Sequence, residues 1–194
     1  MSKPFIGIKR LWYGPELTAA QASALVNAAA VKTLVTTEAN NFAEIKNVHD
    51  GTWGYSQDDP SVTDYINELT GKPYYRDKTS DGARTINFTL GVYAFADKAA
   101  LQGGSVIKDG TGDNAKEVGW KSDGALENIE KCIVAMTKTG NYIIFSDASI
   151  IAKGDQQDKN IGLGITAVCM ESENTGVEAE YMFEGGTEWD TPTA

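Results

Sequence analysis

Glu130-Lys-Cys-Ile-Val-Ala-Met-Thr137, Asn141-Tyr-Ile-Ile-Phe145, Ala148-Ser-Ile-Ile-Ala-Lys153 and Ile161-Gly-Leu-Gly-Ile-Thr-Ala-Val-Cys-Met170 follow one another, separated by a Thr-Gly turn and a polar loop over Asp155 to Asn160. β-Branched and aromatic residues crowd these runs and turn formers bound them, so they read as successive strands. Upstream, Arg84 to Ala94 is a further strong strand through Ile86, Phe88, Leu90 and Tyr93. Downstream, Val177-Glu-Ala-Glu-Tyr-Met-Phe183 has the content of a last strand. The expected fold is mostly β, a sandwich or barrel-like sheet, with one or two small α-helices at its side.

The N-terminal half is more mixed. Phe5 to Trp12 reads as a first strand closed by Gly14-Pro15. Thr18-Ala-Ala-Gln21 has capping-box spacing and opens an alanine-rich stretch, which predicts a helix over 18–30. Val31 to Thr37 and Phe42 to Val48 read as short strands around an Ala39-Asn-Asn41 turn. Residues 50–60 are rich in turn formers. Val62, Tyr65, Ile66 and Leu69 fit helical spacing, yet the flanking residues also read as two β arms around Gly71, and the hairpin is favoured. A loop is expected over Asp77 to Ala83, a short helix over Phe95 to Leu101 stopped by Gly103-Gly104, and a polar excursion over Lys108 to Glu117.

With 194 residues, the chain reads as one β-rich domain over 1–183 with extended arms, followed by a flexible acidic tail over 184–194. The net charge is −10, and residues 171–194 hold seven acids with no Lys or Arg, leaving −3 for the rest. Glu178 and Glu180 alternate with Ala179 and Tyr181, so both carboxylates are expected on one solvated face. An acidic end argues against a nucleic-acid binder, whose phosphate contacts need clustered Lys and Arg. No apolar run is long enough to span a bilayer, and residues 1–10 lack a signal-peptide core. A chain made and kept in a cytoplasm is expected. Cys132 and Cys169 lie in apolar strands and are expected as reduced core residues, with an inter-strand disulfide as the alternative.

No residue qualifies as catalytic, cofactor-binding or metal-ligating. Asp109-Gly-Thr-Gly-Asp113-Asn114 suggests a calcium loop, but the twelfth position is Trp120, where a bidentate acid is needed. Gly162-Leu-Gly164-Ile-Thr-Ala167 spells a dinucleotide fingerprint without the strand-to-helix turn it requires. His49 beside Asp50 is an acid–base pair without a nucleophile. Two rival functions remain open. Trp12, Trp53, Trp120 and Trp189 could line a carbohydrate-binding face, and paired acids could serve a glycosidase-like hydrolase.

The order of strands from Asn128 to Met170, with Thr85-Ile-Asn-Phe-Thr-Leu and the Ala-rich turn before Gly103-Gly104, resembles tail tube proteins of long-tailed bacteriophages. The likeness spans residues 50–183 and lies in pattern, without an invariant motif. It implies a structural, self-assembling subunit of a virion tail, made in the bacterial host cytoplasm. Its partners would be its own copies in rings, typically hexameric, stacked into a tube. Tape-measure, tail terminator or sheath proteins would follow, with DNA passing through the channel unbound. The polar stretches at 50–61, 77–83 and 108–117 would then clasp neighbouring subunits, and no cofactor is implied.

Overall fold

The computed structural model describes residues 3–112, 115–124, 128–186 and 189. They form strands β1 (Arg10–Gly14), β2 (Ala43–Ile45), β3 (Gly54–Gln57), β4 (Ser61–Asn67), β5 (Lys72–Ser80), β6 (Arg84–Leu90), β7 (Ser105–Asp109), β8 (Lys116–Lys121), β9 (Ile129–Met136), β10 (Tyr142–Gln157), β11 (Asn160–Cys169) and β12 (Glu180–Phe183). Helices α1 (Ala19–Ala24), α2 (Ala28–Thr36) and α3 (Phe95–Gln102) flank them. The fold is mostly β with flanking helices, as the residue pattern predicts.

Eight strands make one antiparallel sheet in the order β2-β1-β9-β10-β11-β6-β3, with β12 also paired to β10. β10 is the spine. Its first half lies between β9 and β12, and its second half runs between β9 and β11. The register shifts between Phe145 and Ala148, where Ser146 and Asp147 form a bulge. Bulges bend a strand and sharpen its twist. The sheet curls there, bringing Leu11 and Tyr13 of β1 into one core with Phe88 and Leu90 of β6. The bulge backbone stays satisfied: Ser146 N–H donates to the Ala179 carbonyl (3.0 Å), and the Ser146 carbonyl accepts from Leu17 N–H (3.2 Å).

Alternation along the strands separates two cores. Ile133, Ala135, Ile143 and Phe145 point into the curl, while Cys132, Val134, Met136, Tyr142 and Ile144 point the other way, against α1 and α2. Both faces of β9 from Cys132 to Met136 and of the first half of β10 are therefore buried, which accounts for their unbroken apolar runs. Beyond the bulge the inner face stays buried, through Ile150, Leu163, Ile165 and Ala167. Ile151 and Lys153 of β10 are exposed on the outer face.

Several sequence expectations are corrected. The helix over 18–30 is two helices. Thr18 and Gln21 form the expected capping box, but α1 stops at Ala24, and Asn27 accepts from Ala30 N–H (3.0 Å) to cap α2. Val31 to Thr37 is helical up to Thr36, because Ala28, Val31, Leu34 and Val35 share one face buried on the sheet. Burial along that stripe outweighs the strand propensity of valine and threonine. The first strand begins at Arg10, with Phe5 and Ile6 exposed and Gly7 at φ +58. The two strands expected over Asn141–Phe145 and Ala148–Lys153 are one strand, β10, because the Ser146–Asp147 interruption is a bulge. The loop over 155–160 is a hairpin closed by Asp158 and Lys159, both at positive φ, with pairing maintained to Gln157–Asn160. Of the polar excursion, Lys108 and Asp109 pair with Glu117 and Lys116 at the ends of β7 and β8, and β5 runs to Ser80 through the first part of the loop expected over Asp77 to Ala83. The favoured hairpin around Gly71 is present as β4–β5, and the expected short helix is α3, ended by Gly103 at φ +80.

Candidate assembly surfaces

Among the described residues, β4 and β5 pair with each other and with no other strand. Their turn is locally determined: Asn67 Oδ1 accepts from Leu69 N–H (2.9 Å), the Asn67 carbonyl accepts from Gly71 N–H (2.8 Å), and Gly71 takes φ +66. Apart from partly covered Asn67, every residue of both strands is exposed. Tyr65 and Tyr75 face each other with ring centroids 5.6 Å apart. Arg76 donates twice to Asp64, at 2.6 and 2.9 Å, and this hydrogen bonding holds the Asp64 carboxyl below its ordinary range. Leu69 at the tip is 95% exposed, and Ile66, Tyr74 and Tyr75 lie open behind it. Residues 61–80 carry Asp64, Glu68 and Asp77 against Lys72, Arg76 and Lys78. The arm is neutral on a chain of net charge −10.

A second feature is the seam where the curled sheet brings β3 and β12 together. Tyr55 donates to Glu180 (2.9 Å), and Arg84 lies 3.3 Å from the other carboxylate oxygen. Burial, then the hydrogen bond to Glu180, pushes the Tyr55 phenol up to about 12. The expected solvated pair is corrected here. Glu178 is exposed and precedes β12, whereas the Glu180 side chain is 13% exposed and turned into the seam. At one end of the seam, Phe5, Gly7, Trp53, Tyr55, Ile143 and Met182 line an open pocket of about 410 Å³.

The other singled-out residues lie apart. His49 meets Asp158 at 3.5 Å. The Asp109 motif sits at the β7–β8 tip, with Asp113 and Asn114 outside the described residues. Gly162 and Gly164 lie within β11, where a Cβ would press on the Leu90 carbonyl and on Asp155 respectively. Cys132 and Cys169 are free, and burial raises both thiols. The tryptophans occupy different places. Trp12 is buried and stacks on Trp189 at 5.5 Å, Trp53 lines the seam, and Trp120 donates to the Gly103 carbonyl (2.8 Å) with Lys98 over its ring. Trp189 also donates to Tyr142 (2.6 Å), so this point of the tail lies on the body. Glu188 and Asp190 are outside the described residues. Among the described residues, no group of three or more His, Cys, Asp or Glu is placed to hold a metal. No described helix is long and apolar enough to cross a membrane.

Asp147, in the β10 bulge, is a feature the sequence reading missed. It is 4% exposed, and its Oδ1 has no hydrogen-bond partner among the described residues. Burial, with Glu130, Glu16 and Glu173 nearby, pushes its carboxyl up to about 6. The available signal was a polar Ser-Asp pair interrupting two apolar strand halves.

No family model matches the sequence, and no match is found among curated proteins.

Proposed function

We propose that this chain is a structural, self-assembling protein: a tail tube subunit of a bacteriophage or a related injection machine. Its copies form rings that stack around a channel for DNA. The observation that carries this reading is the β4–β5 arm. An isolated two-stranded hairpin is marginal in water. This one holds leucine, isoleucine and tyrosine in solvent beside a body that buries its own two cores without it. Aromatic and aliphatic groups so presented are typical anchors for a partner surface. Arm neutrality favours a second copy as that partner, since a charged arm would add to the repulsion between chains of −10.

In this reading the tube meets tape-measure and terminator or sheath proteins at its ends and inside. Exposed Glu171, Glu173, Glu178 and Glu184 supply a charge that lets DNA slide past without binding. Electron microscopy of purified protein across rising concentration tests the proposal. Rings or tubes are expected, and a chain that stays monomeric throughout contradicts it.

A further inference from the structure

The seam pocket has the features of a receptor. Phe5 and Met182 on its wall stay nearly half exposed, at 45% and 46%, although Trp53, Tyr55 and Ile143 line the same concavity. It lies where two strand edges come together, because among the described residues β3 pairs only with β6 and β12 only with β10. Open edges offer backbone donors and acceptors to an incoming extended segment. One exposed cation stands at the wall: the Lys138 side chain lies along Gly7. Nearby, Lys3 is engaged by the Gly185 carbonyl and Glu184, and Arg10 is paired with Glu44 over the Trp189 ring.

We infer that this pocket receives the tip of the β4–β5 arm of a second copy, with Leu69 between Phe5, Trp53 and Met182 and Glu68 beside Lys138. The inference rests on the self-assembly reading above and names the surface through which it works. Leu69 is almost fully exposed in its own chain, and the acid next to it is opposite in charge to Lys138. Strands of seven and nine residues, at about 3.3 Å per residue, carry the tip roughly 25 Å from the body. Knob and pocket are different surfaces, so the contact is heterologous; such contacts close into rings or propagate as filaments. A second apolar concavity, between α1 and α2, is lined by Ala24, Leu25, Ala30 and Leu34, where the neighbouring Lys32 ammonium is engaged over the Trp189 ring, 5.0 Å from its centroid.

Two differently tagged chains test this, both in a Cys169→Ser background: one carrying Leu69→Cys, the other Met182→Cys. After co-assembly and treatment with a short bis-maleimide, a mixed-tag dimer is the expected product. An Ala30→Cys chain in place of the Met182→Cys chain should give little. Tubes that form with no Leu69–Met182 product, or with a Leu69–Ala30 product instead, overturn the seam assignment and leave the assembly reading standing. A parent chain that never assembles overturns both. Separately, Leu69→Ser should raise the concentration needed for assembly about tenfold or more, the loss expected for one buried leucine. An unchanged threshold also overturns the assignment. Because Leu69 is exposed in the single chain, the monomer should fold normally and the effect be read from assembly alone.

Discussion

The curled sheet and the β4–β5 arm use the same strand-forming residue types and differ in what covers them. Ile144 and Phe145 of β10 are fully buried between layers, whereas Tyr65 and Tyr75 of the arm meet each other and solvent. β-Propensity is largely the fit of a side chain to a half-buried surface. The sheet supplies that surface within one chain; the arm supplies half of it and leaves the remainder to a neighbour. Stability should therefore reside in the body, and association in the arm.

The largest effect expected from this division is in the core. Phe145→Ala should cost about 3–5 kcal/mol in urea denaturation, while Tyr75→Ala should stay within about 0.5 kcal/mol, as for an exposed position. Similar losses at both positions would erase the distinction.

The next effect lies at the bulge. Asp147 keeps its proton up to about pH 6 when folded, against 3.8 for the ordinary group. The stabilising contribution of the protonated acid is thus full below the unfolded value and lost as pH rises through about 6. A shift of this size corresponds to about 3 kcal/mol. Asp147→Asn should stabilise the body by about 1–3 kcal/mol at pH 7, and the gain should vanish near pH 4. Denaturation at the two pH values checks it, and a gain that persists at pH 4 would point away from ionisation.

The seam should give a smaller loss. Glu180→Ala removes the partner of Tyr55 and Arg84 and should cost about 1–3 kcal/mol. The Tyr55 phenol should fall part of the way from about 12 toward 10, since burial is its larger cause. Ultraviolet titration reads that shift, and an unmoved phenol would show that the hydrogen bond contributes nothing to it.

The fold class was legible because β6, β9, β10 and β11 carry long apolar runs bounded by turn formers. The arm was legible only as one of two readings, since Val62, Tyr65, Ile66 and Leu69 satisfy helical spacing while lying in or beside a hairpin. What failed depended on distant contacts. Val31, Leu34 and Val35 become helical because a sheet lies beneath them, and Ser146–Asp147 reads as a break until β9, β12 and Leu17 are in place around it. Glu180 shares the alternation of a solvent-facing acid, but Tyr55 and Arg84 arrive from 125 and 96 residues away in sequence. The seam pocket was not legible for the same reason, being assembled from the N-terminal segment, β3, β10 and β12.

Sedimentation of the full chain beside one in which residues 61–80 are replaced by a short Gly-Ser link tests the central claim most directly. Both should show the same unfolding transition. Only the full chain should pass from monomer to rings and tubes as concentration rises. An arm-deleted chain that assembles at the same threshold, or one that loses the folded body, would contradict the account.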